Sequence, residues 1–236
     1  MIERKEKLDE VIYCDTGLEF PAMYEHIAKV REYVEDNGVG FVTLSGSFTF
    51  EDGLVNIPVK SKQYGDHEGY GWPHIMSRWC TRAFKLDPIN KYLSDTEAVQ
   101  AVGIAADEPK RLRSGEYLRY PLNEWGWTES VCLGYCYGKG FDWYDRSVGR
   151  GLYEIFDRTS CWICPLSSLD NLRNLRRFYP DLWAKIGELE EQCRLKRPYA
   201  EPTNYFKPGI SWQALDRRFE IEERTSCCQT SLGAFS

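Results

Sequence analysis

Glu10-Val11-Ile12-Tyr13-Cys14-Asp15-Thr16-Gly17-Leu18-Glu19 decides how the fold of this chain is read. Glu10 to Cys14 is a short run rich in β-forming residues, and Asp15-Thr16-Gly17 closes it with turn residues. Pro21 follows, and Met23, Ile27, Val30 and Val34 then recur at helical spacing. Asn37-Gly38 supplies a helix stop, and Val39 to Leu44 is a second strand. Strand, helix and strand with short joints make a βαβ unit, so the expected fold is α/β, a parallel sheet flanked by helices. Asp15 would then lie at the carboxyl end of a buried strand, where open α/β sheets bind their ligands.

Outward from that unit, residues 61–75 form a glycine-rich loop. Ser77 to Leu93 reads as helical, with Pro88 starting a new segment or bending it. Ala98 to Ala105 is a third expected strand and Tyr117 to Leu122 a fourth. Thr128 can cap a helix through Cys136 that ends near Gly138. Residues 168–178 and 181–194 form a helix pair split at Pro180. Residues 195–209 carry three prolines and read as a linker. Ser211 can cap a last helix to about Glu223, and the small polar tail Thr225–Ser236 is expected to be disordered.

The chain has 236 residues, net charge −6 and a pI near 5.3. That balance argues against broad, sequence-independent nucleic-acid binding and leaves room for a small basic pocket. No apolar run reaches the length of a membrane span, and the charged start lacks the apolar core of a signal peptide. The expected location is the cytosol, where the nine cysteines are free thiols or metal ligands before they are disulfides.

Four stretches can carry chemistry. Asp15, Thr16, Gly17 and Glu19 offer a backbone approach and hydrogen-bonding groups at a strand end. Arg78, Arg82 and Lys85 fall at i, i+4 and i+7, a cationic row able to grip phosphate or sulfate. Gly103 and Ile104 lead into Asp107-Glu108, and Lys110 and Arg111 add positive charge behind another strand. Cys161-Trp162-Ile163-Cys164 sets two thiolates within reach of one metal, with a redox dithiol as the rival reading. Completing a metal site needs further thiolates, and the choice is Cys80 with Cys136, the latter at i+4 from Cys132 on one helical face. Four cysteines suit either tetrahedral zinc or a four-iron cluster. The histidines suggest no catalytic triad.

In this order the motifs resemble the phosphoadenosine phosphosulfate reductase family, within the PP-loop ATP pyrophosphatases of the adenine nucleotide alpha hydrolase-like superfamily. The resemblance rests on Val11 to Pro21, on Arg78 to Lys85 with Asp87-Pro88-Ile89, and on Val102-Gly103-Ile104 with Asp107-Glu108. It continues through Tyr120-Pro121-Leu122 with Glu124-Trp125, then Arg158 to Pro165, and ends at Tyr179 to Trp183. It covers roughly residues 9 to 190.

The resemblance implies a Rossmann-like sheet that binds an adenine nucleotide, an adenylyl sulfate or an ATP-type molecule near Asp15, Thr16 and Gly17. It also implies that the cations near Arg82 and Lys85 face the phosphate or sulfate end. Family members reduce adenylyl sulfates, activate sulfate or flavin precursors, or move sulfur onto nucleic acid, and several carry a cysteine-ligated cluster. Two family elements do not match. The phosphate loop Ser-Gly-Gly-x-Asp-Ser belongs well before the Asp15 turn, and Leu44-Ser45-Gly46-Ser47-Phe48 imitates it poorly. The Glu-Cys-Gly-Leu-His element of the reductases has no counterpart.

The expected organisation is a nucleotide-binding domain over 1–125 lacking its first strand and phosphate loop, then a helical cysteine-cluster region over 126–194. A linker, a short helix and a flexible tail make up 195–236. The expected activity is sulfur transfer or reduction, impaired unless the phosphate loop is supplied upstream or by a partner chain. A non-catalytic nucleotide- or metal-binding protein and a truncated fragment are the alternatives. A protein partner or a second copy could complete the sheet.

Overall fold

Strand β1 (Glu10–Asp15) pairs in parallel with strand β2 (Gly40–Ser45), from Glu10 opposite Gly40 to Asp15 opposite Ser45, in a computed structural model that describes residues 1–60, 62, 65–197 and 204–232. The crossover between them is helix α1 (Pro21–Asp36). Pro21 occupies its first turn, where a missing N–H costs nothing. Gly38 ends it at φ 73°, and the Val39 N–H returns to the Val34 carbonyl at 3.2 Å. The expected βαβ unit is present.

β2 runs into a helix that periodicity does not reveal, α2 (Phe50–Val55). Its signal is the capping box: the Thr49 hydroxyl accepts from the Asp52 N–H at 3.1 Å, and the Asp52 carboxylate accepts from the Thr49 N–H at 3.4 Å. An antiparallel pair, β3 (Pro58–Val59) and β4 (His67–Glu68), follows.

The expected helix over Ser77 to Leu93 is present in three parts: α3 (Trp79–Thr81), a π-helical turn (Arg82–Leu86) and α4 (Asp87–Tyr92). Pro88 explains the wide turn. Its ring would clash with the Phe84 carbonyl of a regular α-helix and it has no N–H to donate there, so the backbone widens in the preceding turn. The Asp87 N–H bonds to the Arg82 carbonyl, five residues back.

Two later expectations need correction. The strand expected over Ala98 to Ala105 pairs only as β5 (Gln100–Ala101), parallel to β6 (Leu118–Arg119). Beyond it the Ile104 N–H turns back to the Val102 carbonyl at 2.9 Å, which takes the chain out of the ladder. The strand expected over Tyr117 to Leu122 stops because Pro121 opens α5 (Pro121–Glu124). The parallel pairs β1–β2 and β5–β6 stand as separate two-stranded sheets. The fold is thus mixed α/β with small sheets.

Thr128 caps α6 (Glu129–Gly138), as expected, accepting from the Val131 N–H at 3.4 Å. A hairpin of β7 (Tyr144–Asp145) and β8 (Arg150–Gly151) and the short α7 (Leu152–Ile155) lead to α8 (Leu169–Phe178) and α9 (Pro180–Lys196). The last helix, α10 (Trp212–Leu232), passes its expected end at Glu223, so the tail expected to be disordered begins as helix. The Cys227-Cys228 side chains and residues 233–236 lie outside the described residues, as do residues 198–203 of the expected linker.

The rest of that linker is docked. Phe206 is fully buried, and the buried Glu190 carboxylate of α9 accepts the N–H groups of Phe206 at 2.6 Å and Trp212 at 2.9 Å. One apolar cluster draws Phe20, Phe50 and Phe84 together with Trp183, Leu215 and Phe219. It therefore takes residues from all three expected segments. No helix among the described residues is long and apolar enough to cross a membrane.

Candidate functional site

Asp15, Thr16, Gly17 and Glu19 make one hydrogen-bonded turn at the carboxyl end of β1. Asp15 Oδ1 accepts the Gly17 N–H at 2.8 Å and the Tyr24 hydroxyl of α1 at 3.2 Å. Gly17 takes φ 70° with open space around its Cα, so backbone conformation and not crowding selects glycine. Thr16 Oγ1 donates to Glu19 Oε1 at 3.2 Å and accepts the Leu18 N–H at 3.3 Å.

Because Asp15 is in register with Ser45, both strands end at one edge. A cleft of about 730 Å³ opens there, lined by Asp15, Thr16 and Gly17 on one side and by Ser45, Gly46 and Ser47 on the other. The capped start of α2 and Phe84 from the π-helical turn also line it, with Trp162, Ile163 and, from α9, Lys185 completing the wall. Gly46 has a steric reason, since a Cβ there would overlap the Phe84 ring.

The Cys-x-x-Cys loop is fastened to the same turn. The Trp162 N–H donates to the Leu18 carbonyl at 3.1 Å. Cys161 Sγ lies 3.6 Å from Thr16 Oγ1 and donates to Glu19 Oε1 over 3.8 Å. Burial, reinforced by the Glu19 charge, pushes the Cys161 thiol up to about 11. The Tyr13 hydroxyl is buried without a hydrogen-bond partner, and Asp15, Glu19 and Cys161 are within its electrostatic reach.

Of the cations named from sequence, Lys85 reaches this place electrostatically, acting on both Cys14 and Cys161. Arg82 is exposed and lies 3.5 Å from Asp87. Arg78 sits at the N-cap of α3, with the Arg82 N–H bonded to its carbonyl at 3.4 Å, and Lys85 lies within the π-helical turn. Arg111 is 2.6 Å from Glu108, which also holds Arg158 at 2.9 Å. Lys110 is exposed on the same turn. These contacts tie the 103–111 loop to the approach to Cys161. Ile104 is buried, and neither it nor Gly103 lines the cleft.

The thiols named as candidate metal ligands fall into two groups. Cys164 is within electrostatic reach of Cys80 and of Cys161. Cys136 on α6 is instead within reach of Cys132. Burial raises the Cys80 and Cys136 thiols. Among the described residues no group of three or more His, Cys, Asp or Glu side chains is arranged to hold a metal ion. Cys80, Cys136, Cys161 and Cys164 accordingly form no such group among the described residues.

Sequence reading set aside the β2 side of the cleft, weighing Leu44 to Phe48 only as a poor phosphate-loop imitation. Its signal was the βαβ unit itself, which puts the residues after both strands at one edge. Lys185 and Leu189 carry no such signal, because only tertiary packing of α9 brings them there.

One uncharacterized protein of Methanocaldococcus jannaschii is 25% identical over 226 residues, covering 89% of this chain and 41% of that protein. A second from the same organism is 26% identical over 189 residues, covering 75% of this chain and 40% of that protein. The uncharacterized nin region protein ORF290 of Escherichia phage lambda is 30% identical over 126 residues, covering 46% of this chain and 42% of that protein. This chain thus spans about two fifths of the length of these relatives. No family model and no solved structure matches it.

Proposed function

We propose that this chain binds an adenine nucleotide, an adenylyl sulfate or an ATP-type molecule, in the cleft beyond β1 and β2, as a protein like the phosphoadenosine phosphosulfate reductases. The observation that carries the reading is the cleft of about 730 Å³ at the carboxyl edge of a parallel pair, with Asp15, Thr16 and Gly17 in its wall. Its aromatic lining, Phe48, Phe84 and Trp162, suits a nucleobase. The buried, unpartnered Tyr13 hydroxyl, within electrostatic reach of Asp15 in the wall, has a hydrogen bond to offer.

In this reading the fold is Rossmann-like, and β1–β2 and β5–β6 are the two halves of one parallel sheet. A strand from a partner chain or a second copy between the pairs would complete it and bring phosphate-binding N–H groups. Sulfur transfer or reduction is the chemistry of the completed site. The chain alone, as a non-catalytic nucleotide- or metal-binding protein, is the second reading; the carboxylates of Asp15, Glu51 and Asp52 in the wall would suit a nucleotide accompanied by a divalent cation. The cytosol suits its free thiols.

Calorimetric titration with adenosine nucleotides tests the proposal. Saturable binding that weakens in Lys85→Gln is expected. Absence of binding for ATP, adenylyl sulfate and their 3′-phosphorylated forms alike would overturn it. Release of pyrophosphate or sulfite by the purified chain would separate the enzyme from the binding protein.

A further inference from the structure

The Cys161–Cys164 loop has features that a metal-ligand reading does not use. The Cys164 N–H bonds to the Cys161 carbonyl at 3.1 Å, closing a four-residue turn. Such a turn holds its end Cα atoms within about 7 Å, and a disulfide needs roughly 4.4–6.8 Å. Both thiols are free and half-buried, reachable by a small molecule. Their surroundings differ in charge. Cys161 touches the Glu19 carboxylate, whose influence there exceeds that of the more distant Lys85 charge. Cys164 is within electrostatic reach of the Lys207 ammonium, which the Pro165 and Ser167 carbonyls anchor at 3.0 and 2.9 Å.

We propose that Cys161 and Cys164 form a redox-active dithiol that exchanges with low-molecular-weight disulfides, with Cys164 attacking and Cys161 resolving. Negative charge developing on sulfur during exchange is met by the Lys207 ammonium at Cys164 and opposed by the Glu19 carboxylate at Cys161. In the first step the Cys164 thiolate bonds to one sulfur of the external disulfide, whose S–S bond breaks and expels one thiolate. In the second, Cys161 gives its proton to Glu19 and attacks the Cys164 sulfur, expelling the other half as a thiolate that takes that proton. Two protein thiols are oxidised to one disulfide, and one external disulfide is reduced to two thiols.

Oxidation has a built-in consequence at the neighbouring turn. The Cys161 sulfur loses the hydrogen it donates to Glu19, so the contact between this loop and the end of β1 changes with redox state. The inference does not depend on what the cleft binds.

The test is incubation of the full chain with glutathione disulfide, followed by alkylation of free thiols and peptide mapping. The wild type should yield an intramolecular Cys161–Cys164 disulfide. Cys161→Ser should accumulate a glutathione adduct at Cys164, roughly tenfold faster than Cys164→Ser accumulates one at Cys161. Lys207→Gln should slow the Cys164 adduct several-fold. The proposal fails if the wild-type pair stays reduced, if Cys164 joins Cys80 instead, or if Cys161 proves the faster thiol. It fails equally if metal analysis finds both thiols protected by a stoichiometric metal ion. The wild-type arm decides even if a variant does not fold.

Discussion

Cys161 Sγ lies 3.6 Å from Thr16 Oγ1, although 145 positions of chain separate the two residues. The end of the first strand and the Cys-x-x-Cys loop are thereby one structural unit. Thr16 is the hinge of that unit, because its hydroxyl also meets Glu19 and the Leu18 N–H.

Thr16→Val keeps the shape of this nearly buried side chain and removes its hydroxyl. Glu19 loses a donor and the Leu18 N–H an acceptor. The expected cost is about 1–2 kcal/mol, read as a fall in the urea midpoint at unchanged slope. Alkylation of Cys161 should also become faster. A variant with wild-type stability and wild-type alkylation would show that the Trp162–Leu18 backbone bond and the Cys161–Glu19 contact hold the unit without the Thr16 hydroxyl.

Tyr13→Phe separates stability from binding. The hydroxyl it removes is buried without a partner, so the variant is expected to match or exceed wild-type stability by up to about 1 kcal/mol. If a nucleotide in the cleft supplies the missing hydrogen bond, its affinity should fall about three- to tenfold in the same variant. Calorimetry beside thermal unfolding gives both numbers. A clear loss of stability would mean that the hydroxyl has a partner, such as a bound water.

The βαβ unit was legible because each of its parts obeys a local rule: β-formers in Glu10 to Cys14, Pro21 at a helix start, Gly38 at a helix end. The later strands were not. Apolar character in Ala98 to Ala105 cannot disclose that Ile104 turns back on Val102, and only Pro121 warned that the next strand is short. At the site, the Asp15 turn and the Cys-x-x-Cys pair were found by residue type. The bond between them was not, because no spacing rule spans residues 16 to 161. The i, i+4, i+7 rule behind the cationic row assumes a regular helix, and ahead of Pro88 this one widens over Arg82–Leu86.

Gly46→Ala tests the packing behind the cleft. A methyl group there would overlap the Phe84 ring, itself buried at 2% exposure and ringed by Phe48 and Trp79. Phe84 cannot swing away without disturbing those rings. A loss of about 1–3 kcal/mol is expected, with the cleft narrowed as Phe84 shifts. Denaturant unfolding measures the first effect and nucleotide affinity the second. Wild-type stability in the alanine variant would mean that the π-helical turn carrying Phe84 yields easily.

Glu190 makes the fold pH-sensitive in a direction opposite to most carboxylates. Burial raises its pKa above the ordinary 4.5, outweighing the Phe206 and Trp212 N–H groups and the Arg194 charge that favour the ionised form. The folded state therefore binds the proton more tightly than the unfolded chain does. The stabilisation from Glu190 is complete below 4.5 and is lost as pH rises through the folded value. Glu190→Gln cannot titrate. The stability of wild type relative to this variant should grow as pH falls from about 7.5 to about 4.5, because only wild type takes up the proton. Urea midpoints of both proteins across that range measure the difference. A gap that stays constant would show that Glu190 titrates alike in the folded and unfolded chain, and a gap that moves the other way would show that the N–H groups of Phe206 and Trp212 outweigh burial.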